Sequence, residues 1–461
     1  MPPENEIRNV KTVLQVDTEL LESINGLIEN EASQSLLNIF ADLHSADIAE
    51  IINRLDLYSA KYTFSLLDSE TAAEVILDID ESQREKILKD IDVKTISNIV
   101  EELYSDDATD IVSDLPEPIA RQVLKNIDKE DSEDLKELLK YPEDSAGGIM
   151  TSNFVYVTSN ATIKDAIEEV RKNAEEFEHI YQIYVLKEND ELVGTVTLKS
   201  LLVNPLNVGI KSVMQEDLIF VTTDMDQEEV ANIMHKYGLV TIPVVDEHRR
   251  MLGRITFDDI QDVIHEEASE DIQKIAGLTE EEEISYSAFR VSRNRLPWLF
   301  VSLSGELISA VVLASFQASI EQIIIASFFI PIVMAMGGSA GSQSAIVMVQ
   351  AINAGEIWEN DTFKRLIKEL RVAFINSIAC TVALLLLTYF IFRVDLNFAY
   401  ILSASLFIIM VNATMVGAIV PVILNKLNID PAIATGPFVA TTNDIIGLII
   451  YFSLLTLFIF K

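Results

Sequence analysis

The stretch Asp430-Pro431-Ala-Ile-Ala-Thr-Gly436-Pro437-Phe-Val-Ala-Thr-Thr-Asn-Asp444 opens an apolar run that reaches Phe460. Pro431–Phe460 is long enough to cross a bilayer, which takes about 20 residues as helix. Pro431, Gly436, Pro437 and Gly447 punctuate it, and the carboxylate of Asp444 stands near its middle beside hydroxyls and an amide. Broken backbone at membrane depth is tolerated only inside protein or beside a water-filled path. An ionisable group at the bilayer centre is costly, so it ordinarily faces a cavity and works there. The stretch reads as part of a polar path through a membrane.

Four further spans precede it: Leu296–Gln317, Gln322–Gln350, Val372–Phe392 and Phe398–Leu424. The second carries Pro331, Gly337, Gly338 and Gly341. Such residues either build an ion path or let helices pack closely. Lys364, Arg365, Lys368 and Arg371 lie between spans two and three, Arg295 before span one and Lys426 after span four. The positive-inside rule puts these in the cytosol. The amino-terminal half is then cytosolic and the carboxyl terminus outside. Arg393 conflicts but is balanced by Asp395. Glu306, mid-way along span one, could pair with a base near a helix end or accept protons or cations. Asn376 and Asn412 read as interhelical hydrogen-bond residues.

Charge is divided in the same way. The chain has 461 residues, 34 Lys plus Arg and 72 Asp plus Glu, a net of -38. From Asn294 onward nine acids face eight bases, whereas residues 1–293 hold 63 acids and 26 bases, a net of -37. This balance excludes a generic nucleic-acid binder, which needs a basic footprint, and a polybasic lipid-binding patch. The single Cys380 excludes a disulfide within the chain. The polar start MPPENEIRNV is not expected to be a secretory signal. One membrane carboxylate per chain is too little for an all-protein metal cage, but it suits a hydrated divalent ion. Mg2+ comes first, with Mn2+, Co2+ and Ca2+ open. A two-fold dimer would bring two copies of Asp444 to one axis.

The acidic half divides again. Residues 35–140 read as short amphipathic helices, as in SADIAEIINRLD, SETAAEVILDID, ESQREKILKDID and SDDATDIVSDLP, with Ser or Asp placed to cap. Their loose self-similarity suggests a stacked superhelix. Strand-like runs follow at Tyr181–Leu186, Leu192–Thr197, Thr241–Val245 and Met251–Thr256, with helices at Thr162–Asn173 and Asp226–Tyr237. These are two copies of one unit and resemble a tandem CBS pair, a module that often holds adenine nucleotides. In that resemblance Thr256 and Asp259 match the nucleotide-contacting Thr-x-x-Asp. Lys199-Ser200 departs from the usual Arg-Asp of the first copy. An acidic helix then places Glu267, Glu270 and Asp271 on one face.

The order of these parts, with Tyr141-Pro-Glu-Asp-Ser-Ala-Gly147-Gly148-Ile-Met150, Arg295-Leu-Pro-Trp298, Gly337-Gly338-Ser-Ala-Gly341-Ser-Gln343-Ser344 and the Asp430–Asp444 stretch, resembles the MgtE family of magnesium channels. The resemblance implies a multidomain chain. Its parts are an amino-terminal segment (1–34), an acidic helical superhelix (35–145), an α/β tandem CBS pair (146–263), an acidic plug helix and connector (264–293) and an all-α membrane domain with five helices (294–461). It implies a homodimer in an inner membrane, with the pore between protomers, lined by spans two and five. Asp444 matches the pore aspartate, and Asp430 an acid at the cytosolic mouth. Glu267, Glu270 and Asp271 match the plug. Asp226, Glu228, Asp259 and Asp262 match acids on the CBS side, which Asp106, Asp107 and Asp110 would face. Ser339, Gln317 and Gly238 depart from the family pattern.

The expectation is a non-enzymatic Mg2+ importer shut by Mg2+ bridging acids between domains, with ATP a further ligand at the CBS pair. No Gly-x-x-x-x-Gly-Lys-Ser/Thr motif for ATP hydrolysis is visible. The alternatives are a membrane-tethered sensor that transports nothing, and an exchanger coupled to Na+ or H+, which only Glu306 favours.

Overall fold

A computed structural model describes residues 16–174, 177, 179–278, 288–322, 324–353, 362–427, 429–434 and 436–459. Residues 1–15 of the amino-terminal segment, 279–287 of the connector and Phe460 of span five lie outside the described residues. The chain forms two compact units, Met1–Val263 and Ile264–Lys461.

The first unit begins with short helices from α1 (Thr18–Glu29) to α10 (Lys129–Leu138). Among them α3 (Ser45–Arg54), α5 (Ser69–Leu77), α7 (Val93–Glu102) and α9 (Glu117–Asn126) stack in turn, each on the next but one. One apolar core runs through the stack from Val16 to Leu135, which makes it a superhelix of stacked helical pairs. The caps fall one residue earlier than the sequence suggests. Asp56, Asp68 and Asp92 accept hydrogen bonds from backbone N–H groups of the following turn. The Ser that follows Asp68 is already helical.

Two three-stranded sheets follow, ordered β1-β2-β3 and β4-β5-β6. They comprise β1 (Tyr156–Thr158), β2 (Gln182–Leu186), β3 (Leu192–Thr197), β4 (Val221–Thr222), β5 (Thr241–Val245) and β6 (Met251–Thr256). In each, the first pair is parallel and the second antiparallel, with an irregularity at the same place, Val185/Leu186 and Val244/Val245. The internal repeat is therefore a repeat of register as well as of sequence. Tyr184, Leu186, Leu192, Val245 and Met251 form a core common to both sheets. Helix α11 (Ile163–Lys172) starts on a Thr162/Asp165 capping box, α12 (Leu198–Val203) on Thr197 and α13 (Gln227–Tyr237) on Asp226. Gly238 ends α13 in the left-handed conformation, φ +62°. The family departure there thus serves a backbone turn. Helix α14 (Phe257–Ala276) follows β6 directly.

Among the described residues of the second unit, five helices are long and apolar enough to cross a membrane. They are α15 (Ala288–Ser315), α18 (Ile330–Asn353) with the short α17 (Ile324–Ser327) before it, α19 (Thr362–Phe390), α20 (Leu396–Lys426) and α21 (Pro437–Ile459). A short α16 (Gln317–Gln322) follows α15, and its Gln317 donates to Glu321 at 2.8 Å. The glycines of span two do not interrupt α18. A Cβ on Gly417 of α20 would lie 2.1 Å from the Gly341 carbonyl oxygen, so these glycines bring two backbones together. Span five is broken as its sequence suggests: Pro431–Ala434 forms a 3-10 turn before α21 begins.

Candidate ion sites

In the membrane unit, α21 packs against α15, α18 and α20. Asp444 is half-buried on α21. Its carboxyl group is in direct contact with that of Glu306 on α15, so two residues that the sequence treats separately share one place. The neighbouring Asn443 is 3% exposed, and neither of its amide atoms has a hydrogen-bond partner. A buried polar group in that state ordinarily holds a water or an ion. Ser344, in the glycine-rich motif of α18, donates to the buried Glu369 of α19 at 3.0 Å. Glu369 carries no signal in a reading for span centres, because it lies beside the basic cluster before span three. Ser339 is exposed on α18.

At the end of α14, Lys274 bridges two of the candidate acids, 2.6 Å from Glu270 and 2.5 Å from Asp430. Burial acts to lower the lysine's pKa, but its hydrogen bonds to Asp430 and Glu270 outweigh that and hold it above the usual range. Asp271 accepts from Asn353, the last residue of α18, at 2.7 Å. Burial raises the Asp271 pKa, and the bond from Asn353 opposes this. Gly436 leaves room for the end of α14, since a Cβ there would lie 3.0 Å from the Ile275 carbonyl oxygen. Glu270, Asp271 and Asp430 thus come together. Glu267, a turn earlier, is half-buried.

In the first unit, α8 (Ser105–Ser113) is fixed to the loop before β1. The Ser105 N–H donates to Asn153 at 3.0 Å, and the Ser152 N–H donates to the Ser105 hydroxyl at 2.7 Å. This joint points Asp106 and Asp107 at the first turns of α14. Burial and then the charges of Asp259, Asp110, Asp258 and Asp262 raise the Asp107 pKa to about 7. Asp106 is held well above the usual range by burial and by Asp107 and Asp259, and its Oδ1 is buried without a partner. Asp259 is raised by burial, against the hydrogen bonds it receives from Thr256. Asp78 is raised by burial and by the charge of Asp262. The sequence reading misses Asp78 and Asp258, whose position as a helix end and a helix start resembles ordinary capping. Among the described residues no three His, Cys, Asp or Glu side chains form a preformed metal cage. The facing acids repel one another, an arrangement that a divalent ion keeping part of its water would relieve.

Asp226 and Glu228 lie at the start of α13. Asp226 caps α13 and, with Asp144 and Asp224, lines a cleft of about 470 Å3. Thr256 and Asp259 are hydrogen-bonded to each other, the Thr256 hydroxyl donating at 2.8 Å. They do not line the cavity of about 890 Å3 at the hairpin turns, which carries Lys187, Lys211 and Arg249.

Five spans with a carboxylate pair among them, joined to a helical superhelix and two CBS-like sheets rich in facing acids, define a divalent cation transporter with an attached acidic domain. The model described as divalent cation transporter matches residues 330–454, that of the MgtE intracellular N domain residues 43–144, and that of the CBS domain residues 146–206 and 210–266. The chain belongs to the MgtE family of magnesium transporters. It is 34% identical over 329 residues to the magnesium transporter MgtE of Bacillus subtilis, covering 71% of this chain and 73% of that one. It is 33% identical over 325 residues to that of Thermus thermophilus, covering 69% and 71%. The cytosolic domain of the Mg2+ channel MgtE in complex with ATP is similar at 30% identity and a TM-score of 0.51, over 53% of this chain and 100% of that one. The relatives' named function is transport, which is not enzymatic.

Proposed function

We propose that this chain is a Mg2+ channel-like importer of an inner membrane, working as a homodimer and gated by cytosolic Mg2+. The observation that carries the reading is Asp444, a carboxylate inside the fifth span whose contact is a second carboxyl group, that of Glu306. Asp444 holds the hydrated ion on the path between protomers, and spans two and five line that path. Uptake is driven by the membrane potential, worth about 2.3 kcal/mol per elementary charge per 100 mV. The first unit lies in the cytosol and the carboxyl terminus outside.

Gating follows from like charge. Asp106, Asp107 and Asp110 on α8 face Asp259 and Asp262 on α14, and Asp226 and Glu228 at the start of α13 are further Mg2+ ligands of the sensor. At high cytosolic Mg2+, ions bridge these faces, and Glu267, Glu270, Asp271 and Asp430 close the mouth. At low Mg2+, repulsion separates them. Such a shift requires tighter Mg2+ binding to the closed state than to the open one. ATP is a further ligand of the CBS pair, contacted by Thr256 and Asp259. The similarity to a cytosolic domain solved with ATP supports this.

Flux of Mg2+ into liposomes carrying the purified chain tests the reading. Asp444→Ala is expected to abolish uptake, and wild-type flux in that variant would sink it. Added Mg2+ is expected to protect residues 264–278 from protease, and unchanged cleavage counts against the gating.

A further inference from the structure

Helices α15 and α21 approach closely because Gly305 has no side chain. A Cβ there would stand 2.7 Å from both Cβ and Cγ2 of Thr441. One residue past Gly305 and three past Thr441, the carboxyl groups of Glu306 and Asp444 meet. Glu306 is exposed on the protomer and Asp444 is half-buried, both well inside their spans. Among the described residues no Lys or Arg pairs with either. Two adjoining carboxylates without a counter-charge do not face lipid. The neighbouring Asn443 is turned to the other side of α21, toward Gly341 of α18, so the carboxyl pair stands on the α15 side of the helix by itself.

We propose that Glu306 is a second carboxylate of the Asp444 ion site and determines its selectivity among divalent cations. The proposal rests on reading Asp444 as the permeation site. One carboxylate per protomer favours Mg2+, which gives up water reluctantly and is held by one or two carboxylates plus waters. Ca2+ accepts more protein oxygens in looser geometry. Doubling the carboxylates strengthens the field at the site and favours ions that shed water readily. Glu306 therefore makes the site more permissive toward Ca2+ and Mn2+ than Asp444 alone would be.

The test is Mg2+ uptake into proteoliposomes with Ca2+ or Mn2+ as competitor. In Glu306→Gln uptake continues, and the competitor concentration that halves it rises about tenfold relative to the half-saturating Mg2+ concentration. Glu306→Asp, which keeps the charge, stays within about twofold of wild type. Glu306→Met gives a second neutral variant should the glutamine chain fail to assemble. An unchanged competitor ratio in the neutral variants, beside an Asp444→Asn that has lost uptake, overturns the assignment of Glu306 alone. Wild-type uptake in Asp444→Asn overturns the underlying reading instead.

Discussion

The ammonium of Lys274 lies 2.5 Å from a carboxylate oxygen of Asp430, so the acidic helix α14 is tied to the turn before α21 by a fixed cation. The pair is largely shielded, with side-chain exposures of 27% and 30%, and Glu270 completes it. A hydrogen bond to a charged group in such a place is worth about 1.5–3 kcal/mol. The lysine does at this point what a bridging divalent ion would do. Lys274→Gln should leave Asp430 and Glu270 facing each other unneutralised. Protease cleavage within residues 264–278 should then accelerate several-fold in chelator and return to the wild-type rate at high Mg2+. Equal rates in chelator would show that the ion pair contributes nothing to holding the helix.

The facing acids of α8 and α14 predict a pH dependence whose sign is fixed. The pKa of Asp107 is raised from 3.8 to about 7 in the folded chain. Its contribution to stability is therefore fully present below the unfolded value and is lost as pH rises through that window. Asp106, Asp259 and Asp78 are shifted in the same direction. After allowance for solvent screening the loss at Asp107 is about 1–2 kcal/mol. Thermal unfolding of the first unit, followed in the full chain without divalent ions, should move to lower temperature between pH 4 and pH 7. Added Mg2+ should restore it at pH 7 and do little at pH 4. A transition that rises with pH would contradict the raised values.

Two glycines separate packing from backbone freedom. A Cβ on Gly253 would lie 2.5 Å from the Thr151 carbonyl oxygen, on the bridge that ties β6 to the loop holding α8. Gly253→Ala should cost about 1–3 kcal/mol as overpacking and loosen the α8 joint. Gly209 has open space around it and an ordinary φ, so Gly209→Ala should be close to neutral. Denaturant midpoints of the two variants give the comparison.

Elements with a strong local pattern are legible in the sequence. The runs Leu192–Thr197, Thr241–Val245 and Met251–Thr256 are strands with those same bounds, and the first and third end on a Thr where a helix begins directly. Strands β1 and β4, three and two residues long, are too short to leave a periodic signal. At α5 the start shifts by one residue because Asp68-Ser69 offers two capping side chains, and only the geometry selects the aspartate. The glycine run of α18 looks like a break, yet the helix is continuous because its partner α20 presents Gly417 there. At the candidate sites, Asp444 is legible because a charge in an apolar run has no ordinary explanation. Its contact with Glu306 is not legible, since only the folding of spans one and five against each other brings the two together. Lys274 stays hidden among acids that draw the attention.

The closest approach in the membrane unit yields a prediction that does not depend on transport. A Cβ on Gly341 would fall 2.0 Å from the Asn443 side-chain nitrogen and 3.2 Å from the Ala413 carbonyl oxygen. Gly341→Ala should therefore destabilise the bundle, chiefly by displacing the Asn443 amide. That amide has no hydrogen-bond partner within the protein, so Asn443→Ala removes the obstruction without breaking a bond between side chains or to the backbone. The double variant should recover most of the stability lost by Gly341→Ala, a coupling of at least about 1 kcal/mol, as expected for residues in contact. Thermal unfolding in detergent of the two single variants and the double variant measures it. Additive losses would mean that the Gly341 backbone is held by Gly417 and Ala413 rather than by the space Asn443 fills.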